Sequence, residues 1–94
     1  MYKIIRHKSF KKDITKIKMT DEQFAKFIVY CGKLIENKQL PKEALDHSLK
    51  GNLKKYREFH LGGDLVVLYK KDEKEKAVIL IGIGSHNQIF QKNY

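Results

Sequence analysis

The segment YREFHLGGDLVVLY, residues 56 to 69, decides the fold of this chain because it has the pattern of a β-hairpin. Two runs rich in aromatic and β-branched residues flank a Gly-Gly pair, which is typical of a tight turn between antiparallel strands. The hairpin also carries unusual charged groups, since Glu58 and His60 precede the turn and Asp64 follows it. Inert polar residues would serve a plain hairpin equally well, so these three are candidate functional residues.

The turn determines which side chains share a face of the hairpin. If glycines 62 and 63 are its two central residues, Phe59 pairs with Val66. Alternate residues of a strand point to opposite faces, so Glu58 and His60 become neighbours on one face. The other face is the apolar one, expected against the helices, and comprises Phe59, Val66 and Leu68.

Two amphipathic helices are predicted before the hairpin. Ser9 can cap the first, whose apolar residues recur at spacings of four and three and are Phe10, Ile14 and Ile17. Thr20 and Gln23 match a capping box at the start of the second helix. Its apolar face comprises Phe24, Phe27, Ile28, Cys31, Leu34 and Ile35. Cys31, the single cysteine, is interpreted as a small buried hydrophobic residue rather than a nucleophile.

The order of the predicted elements indicates the fold class. A short strand at residues 2–6 precedes the helices, a surface loop at 38–53 follows them, and the apolar run AVILIGIG at 77–84 predicts an inner strand after the hairpin. The order β-α-α-β-β-β is typical of an α+β fold with two N-terminal helices packed on one face of an antiparallel sheet. The other face is expected to be open. Residues 1–94 are predicted to form a single domain.

Composition favours a polyanionic partner. Twenty Lys and Arg against eleven Asp and Glu give a formal net charge of +9, and nucleic acid is the first partner class to consider. Lys11 and Lys12 of the first helix form either an electrostatic footprint for RNA or a solvated lysine face. No apolar run approaches the ~20 residues that span a bilayer, and no signal peptide is visible. A cytoplasmic protein without a membrane partner is therefore expected.

The histidines of the second half of the chain suggest acid–base chemistry. His47, His60 and His86 can converge with Glu58 on the open face, and imidazoles titrate near neutrality. On a basic face they predict RNA cleavage in which a base removes the ribose 2′-hydroxyl proton and an acid protonates the departing 5′-oxygen. The alternatives are plain surface residues or a metal site that includes Asp64. The spacing matches no recognised ligand pattern, so neither metal nor cofactor is predicted.

The segments DHSLKGNLKKYREFHLGGDLVVLY (46–69) and IGSHNQIF (83–90) resemble the YafQ-type branch of the RelE/ParE toxin superfamily. The resemblance implies a RelE/ParE-like fold and the toxin of a type II toxin–antitoxin system, acting as a ribosome-dependent mRNA endoribonuclease. Its implied partners are a cognate antitoxin, mRNA on the translating ribosome and ribosomal RNA. The family's functional positions fall on His47, His60, Asp64, His86 and Phe90, with Glu58 in a position also implicated among relatives.

These positions suggest separate roles in the reaction. His86 is the leading acid or base, Glu58 or His60 is its counterpart, and Asp64 orients an imidazole. Phe90 either stacks on a nucleobase splayed from the message or closes the core.

The sequence departs from the family pattern at two positions. Leu65 stands where relatives often place an aromatic residue, and Gly82 stands where many carry an arginine. A guanidinium suits the phosphate of the transition state, so another cation has to replace it. The candidates are Lys50, Lys54 and Arg57. Arg57 lies on the strand face opposite Glu58 and is expected at a sheet edge or paired with a carboxylate.

Two other functions remain open from the sequence. A ParE-like or other non-catalytic inhibitor would act by occupying its target, and it would not require the set of His and Glu side chains. A basic RNA-binding module without toxicity would leave the growth of a cell that expresses it unaffected.

Overall fold

The structure is a computed structural model that describes residues 1–94. Its strands and α-helices, in chain order, are β1 (Lys3–Arg6), α1 (Lys8–Ile14), α2 (Asp21–Ile35), β2 (His47–Ser48), β3 (Arg57–Gly62), β4 (Leu65–Asp72), β5 (Ala77–Ser85) and α3 (His86–Gln91). Two short 3₁₀ turns, Lys42–Ala44 and Gly51–Leu53, flank β2. None of the helices has the length and apolar character that crossing a membrane requires.

The strands form one five-stranded sheet in the order β1-β5-β4-β3-β2. The predicted α+β class and the predicted order of the main elements are confirmed. The sheet is mixed rather than wholly antiparallel, because β1 pairs in parallel with β5. The region predicted as a loop contributes β2, a strand of two residues that pairs with β3 and sets His47 opposite Glu58.

Both faces of the sheet carry apolar side chains. The larger cluster lies under α1 and α2 and includes Phe10, Tyr30, Leu34, Phe59, Val67 and Tyr69. A smaller cluster covers part of the other face, which the sequence analysis expected to be open, and contains Leu49, Tyr56, Val66, Leu68, Ile81 and Ile89. The C-terminal residues form α3, as the turn or short helical tail in the sequence pattern allowed, and its Ile89 is buried in this second cluster.

The predicted register of the hairpin is wrong by one residue. Gly62 pairs with Leu65, so the turn residues are Gly63 and Asp64, and a bulge separates His60 from Gly62. Both glycines have positive φ, +102° and +60°, which glycine adopts without steric cost. Phe59 consequently pairs with Val67. Phe59 faces the helices as predicted, whereas Val66 and Leu68 belong to the second cluster.

The helices begin at caps that only partly match the prediction. His7, rather than Ser9, caps α1, and its Nδ1 accepts a hydrogen bond of 3.2 Å from the Ser9 backbone amide. The Ser9 hydroxyl instead donates to the backbone oxygen of Ile81 on β5. Helix α1 ends at Ile14, so Ile17 lies beyond it. The capping box of Thr20 with residue 23 is confirmed in α2.

The second helix buries a narrower face than the periodicity predicted. It packs on the sheet through Tyr30 and Leu34, which leaves Phe24 54% and Ile28 55% exposed. Cys31 is half-buried against the larger core, and burial raises the pKa of its thiol to about 11. This environment agrees with a hydrophobic role for Cys31 and disfavours the reactive thiolate.

Candidate active site

Glu58 is the centre of a cluster of titratable side chains. It is only 2% exposed, and its Oε2 atom lies close to the Nε2 atoms of three histidines. The distances are 3.4 Å to His47, 3.2 Å to His60 and 3.4 Å to His86. The predicted convergence of these histidines with Glu58 is therefore observed, and the carboxylate contacts all of them.

Each histidine comes from a different local arrangement. His47 lies opposite Glu58 in the β2–β3 pair, and its Nδ1 donates a 2.6 Å hydrogen bond to the backbone oxygen of Leu45. His60 lies two residues after Glu58 on β3, so both side chains point to the same face. His86 is the first residue of α3. The short β2 strand and α3 thus bring His47 and His86, which are far apart in sequence, beside Glu58 on β3.

A capping box holds the start of α3. The Ser85 hydroxyl accepts a 3.1 Å hydrogen bond from the Gln88 amide, and the Gln88 side chain accepts one of 2.8 Å from the Ser85 amide. Because α3 has only six residues, its position depends on such end contacts and on buried Ile89.

Asp64 forms a hydrogen bond with His86, the contact that the orienting role predicted from the sequence requires. Its Oδ1 atom lies 2.7 Å from His86 Nδ1 and 3.5 Å from the His86 backbone amide. The hydrogen bond with Asp64 raises the pKa of His86 above its ordinary value; partial burial opposes this shift and nearby Glu58 adds to it. The same hydrogen bond lowers the pKa of Asp64.

The partner atoms constrain where the protons lie. A carbonyl oxygen only accepts, so His47 Nδ1 carries the proton donated to Leu45, and His86 Nδ1 likewise donates to Asp64. In a neutral imidazole Nε2 would then be unprotonated, yet in both residues it faces the oxygen of Glu58. These contacts are favourable only if the cluster holds additional protons, on the imidazoles or on the carboxyl group. The arrangement can therefore both release and accept protons.

The same cluster has a donor set that suits a metal ion. One ligand atom each from His47, Glu58 and His60 lie within 4.8 Å of one another. The second carboxylate oxygen of Glu58, Oε1, is buried and has no hydrogen-bond partner. Two imidazoles and a carboxylate are suitable ligands for a divalent transition metal. No ligand pattern is visible in the sequence because the β2–β3 pairing, rather than short spacing along the chain, assembles this group.

A cavity of about 650 Å³ opens above the cluster. Its lining consists of Leu45, Asp46, His47, Leu49, Glu58, His60, His86 and Phe90. The Phe90 ring is 56% exposed and stacks beside the His86 ring, with centroids 6.1 Å apart and planes inclined by 22°. Phe90 therefore does not close the core, which Ile89 fills instead. It is placed to contact a ligand in the cavity.

None of the predicted RNA-binding cations lines the cavity. Arg57 points to the opposite face of β3 and pairs with Asp46 at 3.1 Å, in agreement with the expected carboxylate partner. Lys50 and Lys54 are exposed at the two ends of the 3₁₀ turn Gly51–Leu53. The predicted footprint residues of α1, also exposed, are Lys11 and Lys12.

Tyr94 takes the space above Gly82, where relatives often carry an arginine. A Cβ atom at Gly82 would lie 2.6 Å from the Tyr94 hydroxyl oxygen, closer than packed atoms approach. The hydroxyl donates a 2.7 Å hydrogen bond to buried Asp13, which also accepts from Lys92 and from the Ile83 amide. An arginine at position 82 is thus incompatible with this placement of the tail.

Sequence reasoning missed two parts of this region. It did not identify Leu45, which lines the cavity from a loop without periodicity. It also missed the contact of Asp13 with Tyr94 and Lys92, which joins α1 to the C-terminal segment. An acidic residue near the apolar positions of a short helix was the only available signal for Asp13.

Comparison with known proteins gives consistent matches. A sequence model of the family described as "Bacterial toxin of type II toxin-antitoxin system, YafQ" matches residues 2–91. A Haemophilus influenzae protein provisionally named toxin YafQ is 32% identical over 71 residues, which cover 72% of this chain and 70% of that protein.

Solved structures agree in fold. A copper-bound mutant toxin from Helicobacter pylori has a TM-score of 0.80 at 31% identity, covering 96% of this chain and 100% of that chain. The toxin in the Escherichia coli DinJ–YafQ complex has a TM-score of 0.79 at 26% identity, covering 96% of this chain and 99% of that chain.

Proposed function

The chain belongs to the YafQ family of bacterial toxins of type II toxin–antitoxin systems, and from this premise we propose that it is a ribosome-dependent mRNA endoribonuclease. The observation that supports this activity is the contact of three imidazoles with one buried carboxylate. A non-catalytic inhibitor or a plain RNA-binding module has no need of such a cluster. The basic surface, with a formal net charge of +9, provides attraction to RNA.

The proposed reaction uses the ribose 2′-hydroxyl as its nucleophile. The 2′-oxygen attacks the adjacent phosphorus and loses its proton to a base, while the bond from phosphorus to the 5′-oxygen breaks and an acid protonates that oxygen. The products are a 2′,3′-cyclic phosphate and a 5′-hydroxyl end. Positioned proton transfer of this kind accelerates a reaction by ~10²–10⁴-fold per group.

We assign the acid to His86 and the base to His60. His86 has a raised pKa and is held by Asp64, so it remains protonated to a higher pH than an ordinary histidine. His60 directs Nε2 at Glu58, and its Nδ1 has no protein hydrogen-bond partner. If Nε2 carries the proton toward the carboxylate, Nδ1 is free to accept the 2′-hydroxyl proton. Glu58 then acts by orienting the imidazoles.

His47 supplies the positive charge that an arginine would provide. Its Nδ1 donates to a backbone carbonyl, and with a second proton on Nε2 it would be an imidazolium beside Glu58. That cation faces the same cavity as His60 and His86 and can stabilise the phosphate charge that develops in the transition state. Arg57 is less suited to this role because it lies on the opposite strand face, bound to Asp46.

The proposed protein partner is a cognate antitoxin. The Escherichia coli relative is found in a complex with DinJ, and by analogy this chain binds an antitoxin with an acidic segment that covers the basic surface. Charge complementarity of this kind accelerates association and selects the partner.

A divalent metal ion is proposed as an inhibitor rather than as a participant. The Helicobacter pylori relative is a copper-bound mutant toxin, and here His47, Glu58 and His60 fit the ligand preferences of such an ion. A bound metal would occupy the nitrogen and oxygen atoms that the proton transfers need.

Expression of the chain alone, followed by mapping of the 5′ ends of cellular messages, tests the activity. Cuts within translated codons support the nuclease. Growth arrest with intact messages would instead favour an occluding inhibitor, and unimpeded growth would favour a non-toxic RNA-binding module.

The His86→Ala variant tests the assigned acid. Single-turnover cleavage on saturating ribosomes should fall by ~10²-fold or more, with folding and ribosome affinity nearly unchanged, because the half-exposed side chain contributes little to the core. His7→Asn is the matched control, since it removes a histidine outside the site and keeps a good cap on α1. Cleavage by the His86→Ala protein at the wild-type rate would show that the assignment is wrong.

A further inference from the structure

Leu45 combines two unusual properties. Its side chain is 58% exposed, although leucine is normally buried. Its backbone is left-handed, with φ 51° and ψ 39°, a conformation that side chains other than Gly, Asn and Asp seldom adopt. Residues held in such conformations cluster at functional sites.

The local backbone does not explain a leucine at this position. The Leu45 amide donates to the Lys42 oxygen at 3.1 Å, which ends the 3₁₀ turn, and its carbonyl oxygen accepts from His47 Nδ1. Both hydrogen bonds use main-chain atoms and would form as well with asparagine or glycine, the usual residues for a left-handed cap. Burial does not explain the leucine either, because most of its side chain is exposed to solvent.

The surroundings of Leu45 do suggest a role. The aromatic rings of the cavity form a row in which His47 lies 6.1 Å from His60, His60 lies 5.0 Å from His86, and His86 lies 6.1 Å from Phe90. The backbone oxygen of Leu45 accepts from His47, the first member of the row, and Phe90 is the last member. The exposed apolar side chains of Leu45 and Phe90 line the same cavity as the charged and titratable groups.

We propose that Leu45 is a nucleobase-contacting residue, which binds the base on one side of the scissile phosphate while Phe90 contacts the base on the other. This inference rests on the proposed function and deepens it. The polar centre of the row suits a phosphate and ribose, and its apolar ends suit the faces of unstacked bases. Bases in single-stranded RNA are commonly bound through such apolar contacts.

The substitution Leu45→Asn separates this role from a structural one. Asparagine tolerates the left-handed backbone better than leucine, so the variant should fold at least as stably as the wild type while losing the apolar contact. Lys76→Asn is the matched control, because Lys76 has a similar φ of 52° but lies in the β4–β5 turn, outside the cavity.

Two hexameric probes of equal charge measure the contact without cleavage. One is hexa-adenylate with 2′-O-methyl groups, which lacks the nucleophile, and the other is the same ribose-phosphate chain without bases. The wild type and Lys76→Asn should bind the base-containing probe about tenfold more tightly than the abasic one. In Leu45→Asn the ratio of the two affinities should fall by at least about threefold. Its affinity for the abasic probe should be unchanged.

The outcomes are distinct. Equal affinity of the wild type for both probes, or an unchanged preference in Leu45→Asn, would overturn the inference. A loss of affinity for both probes together would also overturn it, since it would show a general effect on the site. If the wild type prefers the base-containing probe through Leu45 but leaves cellular messages uncut, the proposed nuclease activity fails and the base contact stands.

Discussion

At the scale of single residues, the Asp64–His86 pair sets the pH range of the site. The pKa of His86 is raised from 6.5 and that of Asp64 is lowered from 3.8, chiefly by their mutual hydrogen bond. A histidine whose pKa is raised on folding stabilises the fold fully below pH 6.5. This contribution is lost as the pH rises through the pKa of the folded state. A carboxyl group whose pKa is lowered on folding stabilises the fold fully above pH 3.8. This contribution is lost as the pH falls through the pKa of the folded state.

The stability of the Asp64→Asn variant should therefore differ most from that of the wild type between pH 3.8 and pH 6.5. We expect its melting temperature to fall below that of the wild type at pH 5.5 and to approach it at pH 9. The difference should be small because Asp64 is largely exposed and His86 is partly exposed. The pKa of His86, measured by NMR titration of its ring proton, should fall in the variant. An unchanged His86 titration would contradict the assigned hydrogen bond.

At the scale of secondary-structure elements, contacts at both ends position α3 and the two functional side chains it carries. The capping box lies at its start, and after its end Tyr94 packs on Gly82 and donates to Asp13. The Tyr56 hydroxyl donates to the Tyr94 backbone oxygen at 3.1 Å. The positions of His86 and Phe90 thus depend on a C-terminal segment to which the proposed reaction assigns no role.

Gly82→Ala tests this packing through a double-mutant cycle. The added methyl group should displace Tyr94 and lower the free energy of unfolding by ~1–3 kcal/mol, as overpacking does elsewhere. In a Tyr94→Ala background the same substitution should cost much less, because the obstructing ring is gone. Denaturant unfolding of the wild type, the two single variants and the double variant gives the coupling free energy between positions 82 and 94. Equal costs in both backgrounds would show that Tyr94 does not rest on Gly82.

The elements also show where sequence reasoning succeeded and where it could not. Alternation predicted that Glu58 and His60 share a face, and this is confirmed because the bulge lies beyond both of them. The predicted register of the hairpin was wrong by one residue, because a Gly-Gly pair permits several turn geometries. The pairing of His47 with Glu58 depends on a two-residue strand, which is too short to give a periodic signal.

At the scale of the whole molecule, an excess of positive charge accompanies a localised cluster of histidines around Glu58. The formal net charge of +9 attracts any polyanion, whereas the histidine cluster occupies one face of the sheet. Binding and chemistry should therefore be separable by mutation. Helix α1 is suited to the binding role, since it lies along β5 with Lys11 and Lys12 exposed.

Replacement of both Lys11 and Lys12 by Ala should weaken association with ribosomes and leave the single-turnover cleavage rate at saturating ribosomes unchanged. Each phosphate contact releases condensed counterions, so the slope of log affinity against log salt should become shallower by roughly 0.7 per lost contact. The control is Lys3→Ala with Lys74→Ala, which removes the same charge from exposed positions in β1 and the β4–β5 turn. If both double variants lose affinity equally, net charge alone drives association and α1 is a solvated lysine face. A selective loss in the α1 variant instead identifies this helix as the ribosome-binding surface.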